Sequence, residues 1–218
     1  MSKKTFAIIL SGCGNKDGSE LQESTFTFLA VHRRGCEYRC FAPDIKQHHV
    51  LNYITGEEMP EERSVLIEAA RLARGDIKPL SAFSAADFDG LILPGGFGAA
   101  KNLCTYAFDG PNCKVNPEVE KAVRDTHAAG KPIGALCIAP VIVAKVLGNG
   151  VILTSGNDPG TTAHLEAMGA KHQPTGHGEI AVDRANKIVS TPCYMLDSRV
   201  DQVAQGIDRL VAALLAMM

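Results

Sequence analysis

Tryptophan is absent from this chain of 218 residues, and aromatic residues together make up only 6% of it. An excess of charge is also absent, because 22 Lys and Arg residues face 24 Asp and Glu residues, which leaves a net charge of −2. Without a positive excess, the chain is not expected to bind nucleic acid. An apolar content of 45% excludes a disordered chain. A chain of this length buries roughly 70% of its unfolded surface, so we expect one domain over residues 1–218.

Long hydrophobic runs are missing as well. The apolar stretch near the start covers only residues 6–10, whereas a secretory signal peptide needs roughly 7–15 such residues. The longest uncharged run, 132–144, is interrupted by Pro140 and is shorter than the ~20 residues that span a bilayer. These absences favour a cytoplasmic protein with no membrane partner.

The Cys-X-X-Cys motif does not occur, although the chain has seven cysteines. An odd number in a chain of this size argues against a disulfide framework, and the missing paired spacing argues against structural zinc. The pair His48-His49 has no third ligand at a suitable spacing, so no metal site is predicted. We expect reduced thiols at all seven positions, which are Cys13, Cys36, Cys40, Cys104, Cys113, Cys137 and Cys193.

What the sequence does contain is an alternation of short apolar runs and helical patterns. Such alternation predicts an α/β fold with a mostly parallel sheet. The predicted strands cover residues 6–10, 38–42, 88–93, 132–136 and 151–154. The predicted helices cover residues 20–34, 61–74, 117–129, 139–147 and 200–215. Polar or irregular segments near 44–60 and 102–116 are interpreted as insertions into this domain, which serve as lids or contact surfaces.

Functional sites in such sheets form in the loops that follow the carboxyl ends of strands, and one of these loops carries Cys137. The sequence places Cys137 between an apolar strand and a helix whose first turn contains Pro140. Gly134 and Ala139 are small, as a sharp turn requires, and the arrangement is similar to a nucleophile elbow. Unpaired N–H groups and the helix dipole are expected to lower the pKa of Cys137 and to favour its thiolate. The alternative interpretation is a buried core cysteine.

A second loop follows the predicted strand 88–93 and begins with Pro94-Gly95-Gly96. Glycine allows backbone N–H groups to point into a cavity, because no side chain blocks them. Such groups can bind the oxyanion that forms when a nucleophile adds to a carbonyl. The N–H groups of Gly96 and Ile138 are the predicted pair, and a plain glycine-rich turn is the alternative.

The first loop, 12–18, is glycine-rich but fails the spacing of a dinucleotide-binding or P-loop motif, so no nucleotide site is predicted. Ser19 is predicted to cap the next helix with Gln22 as its capping-box partner, which leaves Glu23 available for another role. A carboxyl beside a cysteine can hold or shuttle a proton, particularly when burial raises its pKa. The alternative for Glu23 is an ordinary first-turn acid stabilised by the helix dipole.

These motifs together resemble the ThiJ/PfpI branch of the class I glutamine amidotransferase-like superfamily. The resemblance rests on the Pro-Gly-Gly loop, the cysteine turn and the acid ten residues before a basic pair, which are residues 93–103, 135–140, Glu23 and 33–35. Residues 9–14, the insertion through His48-His49 and residues 154–157 further resemble a bacterial group of that branch. The resemblance covers essentially the whole chain.

The resemblance implies a flavodoxin-like three-layer sandwich, a homodimer, and no metal or organic cofactor. It further implies a small dicarbonyl substrate, because several members convert 2-oxoaldehydes to hydroxy acids and the bacterial group is described as glyoxalases acting on glyoxal. Removal of such adducts from proteins is proposed for some members. Carried onto this chain, the resemblance implies Cys137 as nucleophile, Glu23 as proton shuttle, and the N–H groups of Gly96 and Ile138 as oxyanion donors.

Two departures from the family pattern limit this expectation. Ile138 stands where many relatives have a histidine, and the His-X-Glu pair of the amidotransferases is matched only by 177–179, which precedes a strand-like segment. Glutaminase chemistry is therefore not expected. His164, His177 and Cys13 are kept as further candidates for the site. A competing hypothesis is a non-enzymatic redox- or adduct-sensing cysteine that influences isoprenoid metabolism through a partner.

Overall fold

The computed structural model describes residues 3–218, and these residues form one seven-stranded sheet, a small two-stranded sheet and surrounding helices. The strands are β1 (Thr5–Ile9), β2 (Glu37–Ala42), β3 (Ile77–Pro79), β4 (Gly90–Leu93), β5 (Ile133–Leu136), β6 (Ile152–Leu153), β7 (Lys171–His172), β8 (Ala181–Asp183) and β9 (Ile188–Thr191). The helices are α1 (Leu21–Arg33), α2 (Val65–Leu72), α3 (Phe97–Lys101), α4 (Tyr106–Asp109), α5 (Pro117–Ala128), α6 (Pro140–Leu147), α7 (Pro159–Ala167) and α8 (Val200–Leu215).

The large sheet has the strand order β3-β2-β1-β4-β5-β9-β8. All neighbours pair in parallel except β8, which runs antiparallel to β9. The chain leaves β1 toward β2 and β3 and later returns to β4 on the other side of β1, so the order reverses between β1 and β4. Ligands of such sheets bind at this reversal, outside the carboxyl ends of the strands. The predicted flavodoxin-like α/β fold is confirmed.

Helices cover both faces of the sheet, which explains why its central strands are apolar without alternation. Residues of β1, β4 and β5 are almost all fully buried. Helices α1 and α8 pack against each other, and α8 also contacts β5 and β9. Gly134 permits this approach, because a Cβ atom there would lie 2.9 Å from methyl carbons of Leu210 and Leu214.

The two segments interpreted as insertions differ in structure. Residues 44–60 contain no helix or strand, and side chains of the core fold hold them in place. Asp17 accepts hydrogen bonds from the Tyr53 hydroxyl at 2.7 Å and from the Leu51 N–H at 2.9 Å. The other segment, 102–116, contains α4 and a short 3-10 turn. The structure thus attaches the first insertion to the loop that follows β1.

One predicted strand is not part of the large sheet. The segment 151–154 forms β6, which pairs only with β7 in the two-stranded sheet. The place beside β5 is taken by β9, whose sequence Ile-Val-Ser-Thr has too weak an apolar run for the pattern to identify. Within residues 3–218, no helix combines the length and the apolar character that a membrane span requires.

Replacing Leu210 by Ala tests the packing of α8 on the sheet. Leu210 is fully buried, so we expect the free energy of unfolding to fall by roughly 2–5 kcal/mol, because a cavity remains beside Gly134. The control is Leu29→Ala on α1, where the side chain is 42% exposed and the expected loss is about 1 kcal/mol or less. Urea denaturation followed by circular dichroism measures both, and equal losses would contradict this account of the packing.

Candidate active site

The loops after β1, β4, β5 and β9 meet at one end of the sheet and enclose an open pocket of about 440 Å³. Its lining combines polar groups, one carboxylate, one thiol and apolar side chains, contributed by Asn15, Glu20, Gln22, Gly96, Phe97, Cys137, Ile138, Tyr194 and Met195. A larger depression of about 580 Å³ lies elsewhere, over β2 and β3. The smaller pocket is the candidate site, because it contains the predicted nucleophile.

Cys137 occupies the turn between β5 and α6 with a backbone φ of +58°. A left-handed φ is strained for a residue with a side chain. The turn is held by the Cys137 N–H, which donates to the Thr191 carbonyl of β9 at 2.9 Å, and by the start of α6 at Pro140. The side chain is 7% exposed and borders the pocket. The structure therefore has the sharp strand-to-helix turn that the sequence predicted at this cysteine.

Gly95 lies between Cys137 and Glu23. Its N–H donates to Glu23 Oε2 at 2.9 Å. A Cβ atom at position 95 would lie 2.3 Å from the Cβ of Cys137 and 2.7 Å from Glu23 Oε2. Only a residue without a side chain allows the acid and the thiol to approach so closely. The structure thus brings together two residues that are separated by more than a hundred positions in the chain.

The Glu23 carboxyl is completely buried at the start of α1. Burial raises the pKa of Glu23 to about 8, with a further increase from the charge of Glu20 and a partial opposing effect from the Gly95 N–H. The Cys137 thiol and the Tyr194 N–H are the other polar neighbours of this carboxyl. At neutral pH, Glu23 therefore carries a proton beside the sulfur.

The predicted lowering of the Cys137 pKa is wrong. The N–H groups of Gly96 and Ile138 point at the sulfur and lower its pKa, as expected. Burial and the charge of Glu23 have the larger effect, and they raise the pKa of Cys137 well above its ordinary value. The sequence indicated the N–H groups but gave no measure of how deeply the turn is buried.

Gly96 contributes its N–H because of its backbone conformation. Its φ is +92°, and a Cβ atom there would lie 2.4 Å from the Glu20 N and from the Gly18 carbonyl oxygen. The Glu20 N–H in turn donates to the Gly95 carbonyl at 3.0 Å. Both glycines of the Pro-Gly-Gly loop are therefore required by close contacts with the loop after β1.

Glu20, not Ser19, caps α1. The Glu20 carboxylate accepts from the Glu23 N–H at 2.6 Å. Ser19 is turned toward the core, where its hydroxyl accepts from the Ser11 N–H at 2.8 Å. The sequence pattern missed Glu20 as a pocket residue, because Ser is a stronger capping residue than Glu and Ser19 is its neighbour. Gln22, the predicted capping-box partner, instead accepts a hydrogen bond from the Tyr194 hydroxyl at the pocket.

The three further candidates do not line the pocket. His164 lies on α7, where Nδ1 bonds to the Tyr106 hydroxyl at 2.9 Å. His177 bonds to the Ser198 hydroxyl at 2.8 Å. Cys13 is in the loop after β1 with Glu68, Arg71 and Asp17 as charged neighbours, and burial raises its pKa.

Metal-binding groups are not clustered in the part of the chain that the structure describes. No group of three or more His, Cys, Asp or Glu side chains there has a geometry that could hold a metal ion. His48 and His49 instead contact each other and the ring of Phe108. All seven cysteines, each within residues 3–218, are free thiols.

No family model matches the chain, but curated proteins do. It is 45% identical to the rat ES1 protein homolog, mitochondrial, over 97% of this chain and 83% of that protein. It is also 45% identical to the human glutamine amidotransferase-like class 1 domain-containing protein 3, mitochondrial, over 97% of this chain and 82% of that protein. These names overturn the predicted cytoplasmic location. That prediction was based on missing apolar runs, which carry no information on the compartment in which a protein resides.

Solved structures share the fold. A protein of Ehrlichia chaffeensis, described as an isoprenoid biosynthesis protein with an amidotransferase-like domain, superposes with a TM-score of 0.91 at 34% identity, over 98% of this chain and all of that one. Drosophila melanogaster DJ-1beta superposes with a TM-score of 0.57 at 16% identity, over 99% of this chain and 96% of that one. From the identity to the curated relatives and this shared fold, it follows that the chain belongs to the class I glutamine amidotransferase-like superfamily, in the group of the ES1 proteins.

Proposed function

We propose that the protein is a cysteine-dependent glyoxalase that converts glyoxal to glycolate without a cofactor. The observation that supports this proposal is the Gly95-mediated contact of a fully buried, proton-bearing Glu23 with the elbow cysteine Cys137 at an open pocket. A nucleophile and an acid–base group side by side are what an internal proton transfer on a small dicarbonyl requires.

In the first step, the sulfur of Cys137 adds to one aldehyde carbon of glyoxal and forms a hemithioacetal. Glu23 and Cys137 titrate as a coupled pair. When the pair has lost one proton, the remaining proton is shared, and its residence on Glu23 leaves Cys137 as the thiolate. The N–H groups of Gly96 and Ile138 stabilise the thiolate and then the oxyanion. One such donor is typically worth ~2.7–4 kcal/mol in the transition state.

In the second step, Glu23 gives its proton to the oxyanion, and the resulting carboxylate removes the proton from the carbon bonded to sulfur and returns it to the neighbouring carbon. The intermediate is an enediol, and the product is a thioester of glycolate on Cys137. A water molecule then hydrolyses the thioester, which releases glycolate and restores the thiol. The net reaction adds one water to glyoxal and needs no oxidant or reductant.

The competing functions have less support from the site. A peroxide-sensing cysteine needs its thiolate but no neighbouring group that moves a proton between carbons, so that function leaves the placement of Glu23 beside Cys137 without a role. A glutaminase needs a histidine beside its cysteine, whereas His177 bonds to Ser198 and is not among the residues that line the pocket.

The first test compares two cysteines. We expect Cys137→Ala to abolish the conversion of glyoxal to glycolate, because the hemithioacetal cannot form. Cys13→Ala is the matched control, since Cys13 lies outside the pocket lining, and it should retain turnover within about twofold of the unchanged protein. Glycolate is quantified over time by chromatography after removal of glyoxal. Wild-type turnover in Cys137→Ala would refute the proposed mechanism.

The second test uses pH. Below pH 8 both groups of the pair hold their protons, so kcat/KM should rise about tenfold per pH unit and level off above an apparent pKa of about 8. Glu23→Gln keeps an oxygen that can accept from Gly95 but cannot carry the proton, so the rate should fall by roughly 10²–10⁴ and the step near pH 8 should disappear. An unchanged pH profile in Glu23→Gln would show that the carboxyl is not the proton shuttle.

A further inference from the structure

The lining of the pocket contains an acidic side chain but no basic one. Glu20 supplies the one carboxyl group of its lining, and no Lys, Arg or His from residues 3–218 lines it. Lys101 contacts the outer pocket residue Phe97, with its ammonium group 5.1 Å from the ring centre, but that group donates to the Lys16 carbonyl at 3.0 Å. An anionic substrate would therefore find a carboxylate and no cation among the groups that line the pocket.

The Glu20 carboxylate is fixed in place by the start of α1. It accepts from the Glu23 N–H at 2.6 Å, and the N–H groups of Leu21 and Gln22 also favour its charged form. The positive end of the dipole of this 13-residue helix acts in the same direction. Partial burial has the larger effect, and it raises the pKa of Glu20 above its ordinary value, although the carboxylate keeps its hydrogen bond from the Glu23 N–H. A charge held beside a partly enclosed pocket acts on ligands more strongly than one on an open surface, because less water screens it.

The size of the pocket does not select among small carbonyl compounds. A volume of about 440 Å³ admits glyoxal and glyoxylate equally, since the two differ only in an aldehyde and a carboxylate of similar size. Discrimination between them must come from charge. A carboxylate on the substrate would be placed near Glu20 and would gain no ion pair in return.

We infer that Glu20 is a specificity-determining residue that makes the pocket select neutral or cationic small carbonyl compounds and reject anionic ones such as 2-oxo acids. This inference rests on the proposed function in one respect, because it takes Cys137 as the nucleophile. Glu20 sets which molecules reach the sulfur, whereas Cys137 and Glu23 perform the chemistry.

The test uses two alkylating reagents of nearly the same size, neutral iodoacetamide and anionic iodoacetate. Both react with the same thiolate, so any change in the thiolate fraction of Cys137 cancels from the ratio of their rates. The rates at the peptide containing Cys137 are measured by mass spectrometry at pH 7.5 on the folded protein and on the urea-unfolded protein, which gives the intrinsic ratio. The variants are Glu20→Gln and, as a control with the same change in net charge, Glu166→Gln on the exposed surface of α7.

We expect the folded protein to prefer iodoacetamide about tenfold more than the unfolded chain does, and Glu20→Gln to reduce this preference about fivefold. Glu166→Gln should leave the ratio unchanged. An equal ratio in Glu20→Gln and the unchanged protein would overturn the inference while leaving the nucleophile in place. Failure of both reagents to label Cys137 in the folded protein would instead overturn the proposed function.

Discussion

The hydrogen bond from the Gly95 N–H to the Glu23 carboxyl is the contact on which the site depends. It joins the end of β4 to the start of α1, and it places the carboxyl against the turn that carries Cys137. This position buries the carboxyl. Because burial disfavours the charged form, the pKa of Glu23 is raised. The hydrogen bond from Gly95 thus explains both the closeness of the Glu23 carboxyl to Cys137 and the proton that this carboxyl carries.

The strand order explains how residues from distant parts of the sequence reach this contact. β1, β4 and β5 are consecutive neighbours in the sheet and run in parallel, so their carboxyl ends lie at the same edge. The segments that follow them supply Glu23, at the start of α1, and Gly95 and Cys137, in the loops after β4 and β5. The site therefore forms because three neighbouring parallel strands end at the same edge of the sheet and the segments after them meet there.

The apolar runs of β1, β4 and β5 and the small residues around Cys137 were enough to predict the fold class and the strand-to-helix turn. The choice of Glu23 as the acid came from its place near a helix start and from the resemblance to a family, and the structure puts it beside the sulfur. The direction of the Cys137 pKa could not be predicted, because it depends on burial and on a carboxyl distant in sequence. Glu20 was missed because its side chain competes with Ser19 for the same cap, and only three-dimensional packing decides between them.

The insertion 44–60, which contains no helix or strand, contacts the loop that forms part of the pocket entrance. Asp17 binds both Tyr53 and Leu51, and the loop that carries Asp17 also carries Asn15 at the pocket. Asp17 is therefore the link through which a change in the insertion would reach the loop at the entrance. Evolution of new substrate preferences in this group can proceed through a segment that bears no chemical role, with the reacting groups held constant.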